Sequence, residues 1–202
     1  MCFGDFEILR LIGNGSFGKV FLARHQRSQE LFALKVLNKK KLNAKKQLKY
    51  AVGEANILKK VDHPFVIKLH YSFQTPSNLY MALDYCPHKD LAELLYEEDQ
   101  ITEQTCIFYV AQIILAVEYL HKNKIIYRDM KPENILIGQD GYIRLADFNL
   151  SKENDFSMSF CGSPAYLSPE MLQKKGVGPE ADIYGIGCVL YEMMVGEPPY
   201  FD

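Results

Sequence analysis

The chain has 202 residues, of which 48% are hydrophobic, with 23 basic and 25 acidic side chains. This length and composition allow one large domain or two small lobes around an apolar core, and they exclude wholesale disorder. The net charge of −2 gives no basis for bulk electrostatic binding to nucleic acid or to an anionic membrane surface.

The cysteines are odd in number and far apart, and none of them forms a C-x-x-C pair. This spacing favours reduced thiols in an intracellular protein over disulfides or a zinc site. The N-terminal residues lack the pattern of a signal peptide, and the most apolar stretch, residues 107–117, is too short to cross a bilayer. We therefore expect a cytoplasmic protein, with the nucleus as the alternative, and no membrane insertion.

Residues 1–85 alternate in polarity and are rich in β-forming residues, which predicts an antiparallel sheet with one main helix. The predicted strands cover residues 6–12, 20–24, 31–37, 67–73 and 79–85, and the helix covers residues 39–60. Residues 86–202 are mainly helical in pattern. Their predicted helices cover residues 90–98, 102–123 and 179–195, with a hairpin over 135–145 and an ordered loop over 151–170. The sequence therefore predicts an α+β fold of two lobes, 1–85 and 86–202, with a nucleotide in the cleft between them.

Three glycines, Gly13, Gly15 and Gly18, lie between the first two predicted strands. Glycines allow backbone amides to approach phosphate oxygens closely. Alone, the spacing fits an ordinary turn equally well, and its position between two strands disfavours a dinucleotide-binding motif, which needs strand, loop and helix.

A lysine, Lys35, lies within the apolar third strand, and Glu54 lies in the predicted helix that follows. An unpaired ammonium is costly to bury, so we expect an anionic partner for Lys35, and Glu54 is the candidate. The alternatives are a lysine that extends to solvent from the strand and a solvated helix carboxylate.

The segment 127–134 carries Asp129, Lys131 and Asn134 within eight residues, and Asp147 follows across the predicted hairpin. One carboxylate, one cation and one amide suit the movement of a phosphoryl group, and a second carboxylate adds a hard oxygen donor for magnesium.

Taken in order, these motifs resemble those of the eukaryotic serine/threonine protein kinases over residues 6–202. Tyr127 before Arg128 and Asp129, together with residues 160–162, is similar to the AGC group of that family. The resemblance implies a bilobal kinase-like fold with a five-stranded sheet, one main helix and a mainly helical, incomplete second lobe. It also implies ATP and Mg²⁺ as cofactors.

The same resemblance assigns roles to individual residues. Asp129 orients the attacking hydroxyl, Lys131 and Lys35 neutralise phosphate charge, Glu54 pairs with Lys35, and Asn134 and Asp147 hold magnesium. The implied ATP-binding set is Ile12, Gly13, Asn14, Gly15, Ser16, Phe17, Gly18, Lys19, Val20, Ala33, Lys35, Leu83, Asp84, Cys86, Asp90 and Leu136.

Substrate and regulatory positions also follow from the resemblance. Ser159 matches an activation-loop phosphorylation site, where a phosphate could pair with Arg128, and an upstream kinase would supply it. Ser163 matches the residue near the acceptor hydroxyl, and Glu133 and Asp90 match acids that contact basic substrate residues. We expect protein substrates with Ser/Thr acceptors, no nucleic-acid partner and a monomer.

The chain departs from the family where Asn149 replaces the glycine that usually follows Asp-Phe. Because asparagine tolerates positive φ better than other non-glycine residues, we expect the turn to form with some strain and the activity to be lowered or altered rather than lost. The chain also stops soon after the last predicted helix, which leads us to expect a partial catalytic domain.

Two other interpretations remain open at this point. Asn149 and the early stop suggest a nucleotide-binding pseudokinase or an inactive fragment that acts through a partner. A small-molecule kinase of the same fold is the third candidate, although residues 151–164 favour a protein substrate.

Overall fold

The computed structural model describes residues 1–15, 18–44, 47–98, 101–153 and 163–200. These residues form two compact units. The first unit comprises Met1–Lys60 with Ile67–Cys86, and the second comprises Val61–Val66 with Pro87–Asp202. Val61–Val66 groups with the second unit because, for example, the Phe65 carbonyl oxygen accepts the Leu145 N–H at 2.8 Å.

The first unit contains a five-stranded antiparallel sheet in the order β1-β2-β3-β5-β4. Its elements are β1 (Phe6–Asn14), β2 (Gly18–His25), β3 (Leu31–Asn38), α1 (Lys39–Ala44), α2 (Leu48–Leu58), β4 (Leu69–Gln74) and β5 (Asn78–Asp84). The predicted five-stranded sheet and α+β class are confirmed. The single helix predicted over 39–60 was wrong in detail, because the structure has two helices there.

The two faces of this sheet carry two separate apolar clusters. Side chains alternate along a strand, so even and odd positions of β3 face opposite sides. Phe32 and Leu34 belong to an aromatic-rich cluster that includes Phe6 and Tyr80. Leu37 instead belongs to the cluster that includes α1 and α2 side chains. Lys35, at an odd position, therefore lies on the same face as α2.

The second unit is mainly helical. Its elements are α3 (Leu91–Glu98), α4 (Glu103–Lys122), β6 (Ile125–Ile126), β7 (Ile135–Ile137), β8 (Ile143–Leu145), β9 (Lys152–Glu153), α5 (Pro169–Leu172) and α6 (Glu180–Val195). Short 3₁₀ turns cover Pro132–Asn134, Phe148–Leu150 and Pro164–Tyr166. The hairpin β7-β8 lies where it was predicted.

The buried face of helix α4 anchors this hairpin. Thr102 caps its N-terminus by accepting the Thr105 N–H at 3.2 Å, which satisfies one of the unpaired amides of the first turn. Buried Gln112 accepts the Ile143 N–H of β8 at 2.8 Å and donates to the Phe108 carbonyl oxygen at 2.9 Å. Within the described residues, no helix combines the length and the apolar composition needed to cross a membrane.

Helix α6 packs closely against Met130 at Gly185. A Cβ atom there would lie 2.7 Å from Met130 Cβ, which is closer than packed carbon atoms can come. At Gly187, on the exposed side of the same helix, a Cβ would meet no atom within 4 Å. The close approach at Gly185 thus sets the distance between α6 and Met130.

These two glycines give a matched pair of variants. We expect Gly185→Ala to lower the free energy of unfolding by about 1–3 kcal/mol, because overpacking forces α6 away from Met130. Gly187→Ala should raise it by about 0.5–1 kcal/mol through helix propensity alone. Urea unfolding followed by circular dichroism measures both. Equal effects of the two substitutions would show that the contact between Gly185 and Met130 imposes no constraint.

Candidate active site

One buried carboxylate on α6 fixes the backbone that precedes Asp129. Asp182, which is 1% exposed, accepts the Tyr127 N–H at 2.8 Å and the Arg128 N–H at 2.7 Å through its two carboxylate oxygens. His121 Nε2 lies 2.7 Å from the oxygen that serves Tyr127. Arg128 adopts a φ of 69°, a conformation that most side chains disfavour, so the two hydrogen bonds hold a locally strained backbone.

Three of the predicted site residues, Lys131, Asn134 and Ser163, are grouped with Asp129. Asn134 Nδ2 donates to the Asp129 carbonyl oxygen at 2.8 Å and to its Oδ2 at 2.9 Å. Lys131 Nζ lies 3.2 Å from the same Oδ2 and donates to Ser163 Oγ at 3.1 Å. The 3₁₀ turn Pro132–Asn134 brings Asn134 back toward Asp129, because the Asn134 N–H donates to the Lys131 carbonyl oxygen. The Asp129 carboxylate is therefore oriented by one amide and one cation.

Tyr127 lies among the carboxylates of this region. Its hydroxyl donates to the Ala146 carbonyl oxygen, and its ring packs edge-on against Phe148 with centroids 5.2 Å apart. Burial raises the pKa of the Tyr127 phenol well above its usual value, and the charges of Asp147, Asp129 and Asp182 raise it further. The phenol thus stays a hydrogen-bond donor that ties the segment before Asp147 to the segment before Asp129.

Arg128 contacts the backbone beyond Asp147. Its Nε donates to the Leu150 carbonyl oxygen at 2.7 Å, and a terminal guanidinium nitrogen donates to the same oxygen. The predicted phosphorylation site Ser159 lies outside the described residues, so the predicted pairing of Arg128 with a phosphate there stays a prediction.

Asn149 does not carry the positive φ of the turn that follows Asp147. In the described part of this turn, positive φ occurs at Asp147 (54°) and not at Asn149, so the tolerance of asparagine for positive φ is not used here. The physical reason is that Asn149 is the middle residue of the 3₁₀ turn Phe148–Leu150, which requires negative φ. Its side chain instead donates from Nδ2 to Asp147 Oδ1.

In the first unit, the predicted ion pair is present. Lys35 Nζ lies 2.7 and 2.9 Å from the two carboxylate oxygens of Glu54, which is 2% exposed. Lys35 is positioned by the central strand β3, where it pairs with Val20 of β2 and Met81 of β5. Because its side chain shares the face of Leu37, it points toward α2, where Glu54 lies.

The glycine-rich turn connects β1 and β2. The Gly15 N–H donates to the Gly18 carbonyl oxygen at 3.0 Å, and Gly13 pairs with Val20 across the two strands. A Cβ on Gly18 would lie 2.0 Å from the Val36 carbonyl oxygen, so only glycine fits there. Ser16 and Phe17, at the tip of the predicted phosphate-binding turn, lie outside the described residues.

The remaining members of the predicted ATP-binding set fall in both units. Those in strands of the first unit are Ile12, Asn14, Lys19, Ala33, Leu83 and Asp84, with Cys86 just beyond β5. The Asp84 carboxylate accepts the Lys68 N–H at 3.0 Å and lies 2.6 Å from His70 Nε2. In the second unit, Leu136 lies in β7, and Asp90 Oδ1 accepts the Glu93 N–H at 2.9 Å at the start of α3.

A second acidic group was missed by the sequence analysis. Glu192 of α6 accepts a hydrogen bond from the Tyr166 hydroxyl at 2.6 Å. Burial raises the pKa of the Glu192 carboxyl, and the negative charge of Glu133 raises it further while the Tyr166 hydrogen bond opposes the shift. Glu192 and the predicted Glu133 are therefore electrostatic neighbours. No spacing signal joins residues so distant in the chain, because their proximity depends on the packing of α6.

Residues 6–202 match the protein kinase domain. A RAC family serine/threonine-protein kinase homolog from Dictyostelium discoideum is 44% identical over 203 residues, which cover 98% of this chain and 46% of that protein. Serine/threonine-protein kinase Sgk1-A from Xenopus laevis is 48% identical over 202 residues, with 98% and 46% covered. Serine/threonine-protein kinase Sgk1 from Danio rerio is 47% identical, with 98% and 47% covered. The chain thus spans about half the length of these relatives.

The ion pair between Lys35 and Glu54 gives a test by double substitution. Lys35→Met removes the cation beside a buried carboxylate, so we expect the free energy of unfolding to fall by about 3 kcal/mol or more. The double variant Lys35→Met/Glu54→Met should recover most of that loss, because it replaces both charges with apolar groups of similar size. Urea unfolding measures both variants. If the double variant were as unstable as the single one, the charge pairing would not be the source of the loss.

Proposed function

Because the chain belongs to the protein kinase family, with the motifs of the AGC group, we propose that it transfers the γ-phosphoryl group of ATP to serine or threonine hydroxyls of proteins. The observation that carries the proposal is the hydrogen-bonded group of Asp129, Lys131, Asn134 and Ser163. It combines an oriented carboxylate and a hydroxyl, each within hydrogen-bonding distance of the Lys131 ammonium.

The residues around Asp129 suit the two tasks of such a transfer. The Asp129 carboxylate can orient the acceptor hydroxyl and take its proton, and its hydrogen bond from Asn134 holds it in one orientation. Lys131 contacts both Asp129 and Ser163, so its positive charge is fixed beside the carboxylate. In a loose phosphoryl transition state, positioning and charge neutralisation supply most of the rate enhancement.

The donor set also fits magnesium and a nucleotide. Asn134 uses its amide nitrogen to bind Asp129, and so its amide oxygen is the atom suited to a metal; Asp147 adds a carboxylate. Both are hard oxygen donors of the type that Mg²⁺ prefers, and a bound ion would neutralise phosphate charge. Lys35, held by Glu54, and the backbone amides of the glycine-rich turn are suited to phosphate oxygens.

A preference for basic substrates rests on Glu133 and Glu192. Their mutual repulsion contributes to the raised pKa of Glu192, so a guanidinium group nearby would relieve an unfavourable charge pair. Tyr166 holds the Glu192 carboxylate in place. We therefore propose that arginine or lysine near the acceptor serine is recognised by these two carboxylates.

The remaining proposals concern partners and location. A kinase with this active site needs protein substrates, and an upstream kinase would act on Ser159. The near-neutral charge supports the absence of a nucleic-acid partner. The cysteine spacing supports a cytoplasmic or nuclear location, and we propose a monomer.

Phosphate incorporation into a serine peptide with preceding arginines tests the proposal. The wild-type chain should phosphorylate this peptide with added MgATP, and Asp129→Asn should lower kcat by about 10²–10⁴-fold, because the general base is lost in a nearly isosteric change. Glu192→Gln should lower the ratio of kcat/KM for the arginine peptide over its alanine counterpart by about tenfold. The preference should also fade as the pH falls through the raised pKa of Glu192, since only the carboxylate attracts arginine.

Glu118→Gln, at an exposed carboxylate of α4 paired with Lys122, is the matched control and should leave the peptide ratio unchanged. If the wild-type chain bound ATP but transferred no phosphate, the non-catalytic alternative would replace the proposal. An unchanged ratio in Glu192→Gln would remove the proposed basis of substrate preference and leave the catalytic proposal standing.

A further inference from the structure

One hydrogen bond spans the sheet of the first unit and has no part in the proposed mechanism. A terminal guanidinium nitrogen of Arg10, in β1, donates to the Tyr85 hydroxyl at 3.1 Å. The two residues are 75 positions apart in the chain, and β2 and β3 lie between β1 and β5 in the sheet. The contact therefore joins β1 to the segment that follows β5 through side chains alone.

The register of the sheet shows which residues this bond spans. Arg10 pairs with Leu22 of β2, Leu22 pairs with Ala33 of β3, and Ala33 pairs with Leu83 of β5. Side chains at directly paired positions lie on the same face of a sheet, and Leu83 packs with the cluster on the α2 face. The bond between Arg10 and Tyr85 therefore spans a row that contains Ala33 and Leu83, two members of the implied ATP-binding set.

The strand that carries Arg10 is weakly attached to the sheet. β1 lies at the edge of the five-stranded sheet and pairs with β2 on one side. Its register shifts on both sides of Arg10, between Ile8 and Arg10 and again between Leu11 and Gly13. Because such irregularities interrupt the hydrogen-bond ladder and bend the strand, the pairing with β2 alone fixes β1 less well than a regular pairing would.

The segment that carries Tyr85 is held more firmly. The preceding residue, Asp84, accepts the Lys68 N–H at 3.0 Å, and its other carboxylate oxygen lies 2.6 Å from His70 Nε2. These contacts attach residues 84–86 to β4 and its approach. The Arg10 hydrogen bond thus ties an irregular edge strand to a segment whose position is already fixed.

We propose that Arg10 and Tyr85 are positioning residues that set the separation between the glycine-rich turn and residues 84–86, and thereby tighten the binding of ATP. The inference rests on the proposed function, because Gly13 lies three residues after Arg10, and Asp84 and Cys86 flank Tyr85 in the implied ATP-binding set. A ligand that contacts both regions at once gains affinity when they are already held at the required separation. A ligand that contacts one region gains nothing from it.

Isothermal titration calorimetry with two ligands provides the test. The first ligand is a non-hydrolysable ATP analogue with Mg²⁺, and the second is adenosine, which lacks the phosphates that the glycine-rich turn would bind. Tyr85→Phe removes the hydroxyl and retains the ring, Arg10→Met removes the guanidinium, and the double variant removes both. Arg24→Met on β2 and Tyr50→Phe on α2 are the matched controls in the same unit.

Each single variant should weaken the binding of the ATP analogue by about twofold to tenfold, the worth of one hydrogen bond, and leave adenosine binding unchanged. The double variant should bind the analogue no more weakly than the weaker single variant, because both changes remove the same bond. The controls should match the wild type for both ligands.

Two classes of result would contradict the inference. Unchanged affinity for the analogue, or additive losses in the double variant, would show that the bond does not act on nucleotide binding, and the proposed function would stand. Equal weakening of adenosine and the analogue would also overturn it, since the variants would then disturb residues 84–86 rather than their separation from the turn. If the wild-type chain bound neither ligand, the proposed function would fail, and the inference with it.

Discussion

The arrangement around Asp129 depends on one buried carboxylate, Asp182. Burying a charge is costly unless hydrogen bonds compensate for the lost water, and Asp182 receives the N–H groups of Tyr127 and Arg128 and contacts His121. These bonds fix the two residues immediately before Asp129, and they hold Arg128 at a φ of 69°. The close approach of Gly185 to Met130 fixes the residue immediately after Asp129. Helix α6 therefore determines the backbone position of the proposed catalytic base from both sides.

Each unit contains a buried carboxylate that is paired with a partly buried lysine. In the first unit, Lys35 and Glu54 pair on the sheet face that α2 covers. In the second unit, the charge of Lys131 is held beside Asp129. Pairs of this kind contribute little net stability compared with apolar residues, but removal of one partner is strongly destabilising. Their presence in both units fits the proposed function, in which both lysines neutralise phosphate charge.

Much of the fold could be predicted from the sequence because its patterns are local. Alternation of polar and apolar residues predicted the five strands, and the long apolar stretch that begins at Thr102 predicted α4. The pairing of Lys35 with Glu54 was also predictable, since a lysine in an apolar strand requires an anion. Asn149 marks a limit of prediction from the sequence. The sequence shows an unusual residue in this turn, but only the structure shows that the positive φ belongs to Asp147. The contact of Tyr166 with Glu192 had no local signal, because α6 packing creates it.

Hydrogen exchange at the Tyr127 and Arg128 amides tests most directly whether Asp182 positions the proposed catalytic base. Asp182→Asn replaces one acceptor oxygen with a donor, whereas Asp140→Asn changes an exposed carboxylate in the second unit and serves as the control. The account predicts that exchange at one or both amides becomes about tenfold faster or more in Asp182→Asn, the expected cost of an unsatisfied buried N–H, and is unchanged in Asp140→Asn. Wild-type protection of both amides in Asp182→Asn would contradict it.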